Sequence, residues 1–70
     1  MKALKCTMRV VAGVVPNQPL PEFTRHWDFL QSDLDNSPTY IDRCGAAMNY
    51  AMHLQNPEKV NWVKLEWIWY

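Results

Sequence analysis

The side chains able to do chemistry in this chain are few and scattered. His26 has Glu22 four residues before it and Asp28 two after. On a helix Glu22 and His26 share a face, and an imidazole beside a carboxylate is the arrangement of a general base or of one metal ligand. No second ligand follows at metal spacing, so a boundary histidine held by Glu22 is the simpler reading. His53 falls on the polar side of a later helical segment, too far along it to share an ion with His26. Asp28, Asp33 and Asp35 point in different directions around a helix and lack the loop pattern of a calcium site, so they read as a solvated acidic surface.

No nucleophile stands beside a usable base. Cys44 is flanked by Asp42 and Arg43, but adjacent residues on a helix point away from one another. Gly13 and Gly45 form no phosphate-cradling pattern. The sequence gives catalysis no positive support, and no metal or cofactor is expected. An enzyme would have to complete its site across a dimer interface, with His26 its best candidate. Pro16-Asn17-Gln18-Pro19 matches PxxP, but the same residues are needed to leave one element and enter the next.

Aromatic residues that fall out of phase with their neighbours carry a stronger signal. Phe29 lies about 120° around a helix from Phe23. Tyr50 is similarly offset from Cys44, and Trp62 and Tyr70 share the strand phase of Lys64 and Glu66. Large apolar groups outside the core phase are candidates for a partner surface, and Trp and Tyr dominate binding energy at interfaces. Phe29, Tyr50, Trp62 and Tyr70 are therefore the expected partner contacts. A second expectation uses Lys5, Arg9 and Lys64 with Trp62 as a basic, base-stacking sheet face for nucleic acid.

Seven basic residues balance seven acidic ones over 70 residues, giving a formal net charge of zero. A phosphate-binding protein needs a cationic surplus, so this balance argues against nucleic acid and against an anionic membrane surface. Nearly half the chain is apolar, at 49%, which argues against disorder. The longest weakly charged stretch, residues 10–23, contains Pro16, Pro19 and Pro21 and is too short to span a bilayer. Arg9 interrupts any signal-peptide pattern near the start. Two cysteines, Cys6 and Cys44, are too few for a secreted disulfide scaffold, so the expectation is a soluble, cytoplasmic single domain with reduced thiols. A bridge between them is left open.

These residues need elements to hold them. Leu4, Cys6, Met8 and Val10 alternate with Lys5, Thr7 and Arg9, which predicts a strand over residues 3–14 with a bend at Gly13. Pro16 to Pro21 make a connector. Phe23, Trp27, Leu30 and Leu34 recur at spacings of four, three and four, which predicts a helix entered at Pro21 and ended at Asp35-Asn36. Ser37-Pro38 opens a second helix, whose broad apolar face is Tyr40, Ile41, Cys44, Ala47, Met48, Ala51 and Met52, and Asn56-Pro57 closes it. Val63, Leu65, Trp67 and Trp69 alternate with Lys64 and Glu66 in a final strand whose apolar side faces the core. Glu66 is placed to pair with Lys5 or Arg9.

The expected fold is α+β, in the order β-α-α-β, with a helical hairpin on one face of a two-stranded antiparallel sheet. A two-stranded sheet is marginal and open at both edges, so pairing with a second copy into four strands, a homodimer, is expected. The expected function is that of a small non-enzymatic accessory or adaptor protein acting by protein–protein contact.

Overall fold

The structure, a computed structural model, describes residues 3–70. The expected strand forms as β1, Leu4–Gly13. Its even positions Cys6, Met8, Val10 and Ala12 are buried against a helix. Its odd positions Lys5, Thr7, Arg9 and Val11 lie on the opposite, outer face, as the alternation of a pleated strand requires.

The chain then turns through Val15 to Leu20. Gln18 N–H donates to the Val15 carbonyl at 3.2 Å, and Leu20 N–H donates to the Ala12 carbonyl at 2.8 Å. Asn17 takes a positive φ of 64°, a conformation that asparagine tolerates better than most residues. Gly13 is required by space: a Cβ there would overlap the Gln18 carbonyl oxygen and stand 2.9 Å from Trp62 Cζ2.

The predicted first helix does not form as a single element. Pro21–Phe23 is one 3₁₀ turn, Arg25–Leu30 is a strand (β2), and only Gln31–Asp35 is helical (α1). Two periods compete in this segment. Phe23, Trp27, Leu30 and Leu34 follow a helical spacing, while Arg25, Trp27 and Phe29 follow a strand spacing. The strand wins because β1 offers it a full ladder: β2 pairs antiparallel with β1, setting Trp27 opposite Met8 and Phe29 opposite Cys6. These two core pairs, made together with the ladder, outweigh a weak local propensity.

The second helix, α2, runs over Ser37–Gln55 with Pro38 in its first turn. The Asn56–Pro57 peptide is cis. Strand β3, Trp62–Trp69, returns antiparallel to β1 with Cys6 opposite Trp69, Met8 opposite Trp67 and Val10 opposite Leu65. The sheet order is β2-β1-β3. The fold is thus a small α+β unit with a three-stranded antiparallel sheet and helices on one face, rather than a helical hairpin on two strands. Any edge-to-edge pair of copies would hold six strands and not four.

The core is Cys6, Met8, Val10, Ala12, Phe29, Ala47, Leu54 and Val60, with Phe23, Trp27, Leu34, Tyr40, Cys44, Tyr50, Ala51 and Val63 packed around it. The small pair Ala47 and Ala51 lets α2 lie close to the sheet. Thr7, the one buried polar side chain among the described residues, donates its hydroxyl to Asp28 Oδ1 at 2.8 Å.

Candidate functional site

The four expected partner contacts separate on folding. Phe29 is fully buried in the core, with its ring centroid 5.5 Å from Tyr40 and 5.8 Å from Trp67. It is a packing residue, because as part of β2 its side points inward. Tyr50 also turns inward. Its hydroxyl donates to the Phe23 carbonyl at 3.0 Å, its ring meets Trp27 at 6.0 Å, and the Arg25 guanidinium lies 5.4 Å from the ring centre. Trp62 is half-buried against Gly13 and donates its indole N–H to the Val15 carbonyl at 2.8 Å. Tyr70 alone of the four is well exposed, with its hydroxyl 3.4 Å from Thr7 Oγ1.

The three cations expected on the outer sheet face are there, but two of them are engaged. Arg9 Nε donates to Glu66 Oε1 at 2.7 Å, and Lys64 Nζ lies 3.5 Å from Glu66 Oε2. Arg9, first of all, holds the Glu66 carboxyl below the usual range, against a smaller opposing effect of burial. Lys5 is exposed at the other end of the face. Beside this ion cluster the Val14–Pro19 turn overhangs the sheet and encloses a shallow groove of about 600 Å³ between Val11, Val14, Pro16, Pro19 and Trp62. The Trp62 N–H is spent on the turn, and the polar part of the lining is Arg9, Asn17, Asn61, Lys64 and Glu66, of which Arg9, Lys64 and Glu66 already pair with one another.

His26 stands on β2 with the exposed side chains, opposite Arg9 in the register. Without the expected helix, Glu22 is not set one turn from it. His53 Nε2 lies 3.1 Å from Lys59 Nζ. Asp33 accepts the Leu30 N–H at 3.0 Å and stands 3.8 Å from Arg43 Nε. Asp35 accepts from the Gln31 side chain at 3.0 Å. Among the described residues no three acidic, histidine or cysteine side chains come together as a metal cluster. The thiols of Cys6 and Cys44 are both free. Burial, and then the neighbouring Cys44, push the Cys6 thiol up. The Tyr40 hydroxyl is raised by Cys44 above all, and then by burial.

The largest unexplained surface lies where the sequence predicts core. The broad apolar face of α2 divides in two. Tyr40, Cys44, Ala47, Ala51 and Leu54 pack on the sheet. One flank leans toward β2: Tyr50 reaches Trp27, and Arg43 donates to the Asp28 carbonyl at 3.1 Å. Ile41, Met48 and Met52 lie about 180° around the helix from Arg43 and Tyr50, on the flank toward β3. On the inner face of β3 only Val63 is half-buried. Leu65, Trp67 and Trp69 share its inner face but stand open beside that flank. These six apolar residues range from 38% exposed at Trp67 to 64% at Ile41. Together they expose on the order of 700 Å² of side-chain surface, above the few hundred that a soluble monomer commonly leaves in one patch.

The residues that form this face were visible in the sequence, in the correct strand and helix phases. Their exposure was not, because it depends on how far one helix reaches across three strands. No helix among the described residues is long and apolar enough to cross a membrane. Comparison with protein-family models, with curated proteins and with solved structures yields no match for this chain.

Proposed function

We propose that this protein is a small non-enzymatic interaction module that works by protein–protein contact through the β3 edge and the open face between α2 and β3. One observation carries the reading: Leu65, Trp67 and Trp69 on the inner face of β3 and Ile41, Met48 and Met52 on the flank of α2 toward it are all exposed. Removing such a surface from water stabilises a complex by about 25 cal/mol per Å² before the costs of association. Its tryptophans are the residue type that most often anchors an interface. Two free thiols fit a reducing setting such as the cytoplasm.

The test is the double variant Met48→Lys/Met52→Lys, which changes only exposed side chains. Its circular dichroism spectrum should match that of the parent, showing that it folds. Association of the parent, measured by cross-linking and by hydrogen exchange at the β3 amides, should be lost in the variant. Association that persists in the double variant would sink the reading.

A further inference from the structure

Resting on that interaction reading, we infer that the occupant of the open face is a second copy of this chain, joined β3 to β3 about a twofold axis centred on Leu65. The sheet has two edges, and they are not equivalent. The β2 edge is short and carries Arg25, His26 and Asp28, and the Arg43 guanidinium already occupies the Asp28 carbonyl. Charged side chains and a capped carbonyl are what blunt an edge strand. The β3 edge spans Trp62–Trp69 without proline, and among the described residues nothing pairs with it.

The hydrogen-bond phase of β3 fixes which of its groups are free. Tyr70 N–H donates to the Lys5 carbonyl, and Lys5 lies in line with the pairs Thr7–Ile68, Arg9–Glu66 and Val11–Lys64. Even positions of β3 therefore turn their main chain toward β1. The odd positions Val63, Leu65, Trp67 and Trp69 turn theirs outward, because bonding direction alternates along an antiparallel strand. A twofold axis at Leu65 sets Leu65 against its own copy and Val63 against Trp67, all with outward N–H and C=O groups. The same register sets Lys64 of each chain opposite Glu66 of the other, in the closer, non-hydrogen-bonded kind of pair. Moving the axis one residue either way brings Lys64 against Lys64 or Glu66 against Glu66. Charge thus selects one register among those with long overlap.

The second copy also suits the apolar face. In a six-stranded sheet the two α2 helices lie over their own β1 strands, three strand spacings apart, or about 14 Å. Directly packed helices sit 8–10 Å apart. The remaining space is the size that Trp67, Trp69 and Leu65 from below and Ile41, Met48 and Met52 from each side can fill. The roughly 700 Å² open on each copy is close to the roughly 800 Å² per partner of a standard stable interface. A formal net charge of zero puts no overall repulsion between the copies.

Sedimentation equilibrium of the intact chain at micromolar concentration tests this, with Lys64→Glu and Glu66→Lys as partners in a charge exchange. The parent should sediment as two chains. Each single variant turns both cross-axis pairs repulsive and should weaken self-association by about tenfold or more. An equimolar mixture of the two variants restores attraction in both pairs and should form a two-chain species again, with circular dichroism confirming that each variant is folded. A monomeric parent overturns the inference, and so does a dimer whose dissociation constant ignores these exchanges. A monomeric parent whose β3 amides are nevertheless protected by another protein, in a way that Met48→Lys/Met52→Lys abolishes, would overturn the second copy while leaving the interaction reading standing.

Discussion

Trp67 and Trp69 stack with ring planes 18° apart and centroids 6.1 Å apart, on the inner face of the edge strand and open to solvent. Trp67 continues inward to Phe29 at 5.8 Å and Tyr40 at 6.4 Å. One ring of the pair is therefore tied to the core, while the other stands beyond it at 60% exposed. A single aromatic strand thus has both a structural and a presenting end.

This division predicts opposite effects at the two rings. Trp69→Ala should change the urea midpoint little in the monomer and weaken association. Trp67→Ala should lower stability by about 2–4 kcal/mol, since it removes the ring's packing on Phe29 and Tyr40. Equal loss of stability in both variants would show that Trp69 is covered within one chain.

Phe29→Ala should cost about 3–5 kcal/mol, the usual range for emptying a buried aromatic site. In a domain this small that is most or all of the folding free energy. Loss of the cooperative melting transition is the expected readout, and a near-parental melting temperature would contradict the placement of Phe29 opposite Cys6.

Gly13→Ala should destabilise by about 1–3 kcal/mol through overpacking. The added methyl meets the Gln18 backbone carbonyl and the Trp62 ring, and the backbone cannot yield as a side chain would. As the turn shifts, the Trp62 indole loses its bond to Val15, so tryptophan emission should move to longer wavelength along with the fall in melting temperature.

The Arg9–Glu66 pair predicts an acid limb of stability with a definite sign. Arg9 lowers the folded-state pKa of Glu66 below the unfolded value of about 4.3. Folding is therefore favoured by this pair above the unfolded pKa, and the benefit disappears as pH falls through the lowered folded value. Because Glu66 is partly solvated the effect is modest. Arg9→Gln should flatten the stability-against-pH curve below about pH 4.3 and leave the neutral plateau slightly lower. An unchanged acid limb in Arg9→Gln would mean that other carboxylates control it.

Tyr50→Phe should cost about 0.5–1.5 kcal/mol, the net worth of its hydrogen bond to the Phe23 carbonyl. Its ring contacts with Trp27 and Arg25 are retained. Chemical denaturation of the two proteins side by side gives the difference.

Strands β1 and β3 were legible because alternation over many residues has no competing reading there. Their faces alone placed Glu66 against Lys5 or Arg9, and the strand register chose Arg9. Residues 25–30 were not legible, because Trp27 satisfies a helical spacing with Phe23 and Leu30 and a strand spacing with Phe29. Only the open side of β1 decides between them. Once β2 forms, Phe29 must point inward, so its expected role as a surface contact fails for the same reason as the first helix. Tyr50 is covered although it lies about 120° around α2 from Cys44, because the helix turns toward β2 by one flank, carrying Tyr50 in and Ile41, Met48 and Met52 out.

Composition and periodicity determined by themselves that this chain folds as one small α+β unit, with an apolar side on each long strand and on the long helix. Those are properties of residue order, set by the repeat of 2 in strands and 3.6 in helices. Which apolar side is covered was decided only by the tertiary structure. One helix laid along the central strand of three buries the middle of the sheet and one flank. The geometry of that crossing, which no local pattern encodes, leaves Trp67, Trp69 and the methionines of α2 in water.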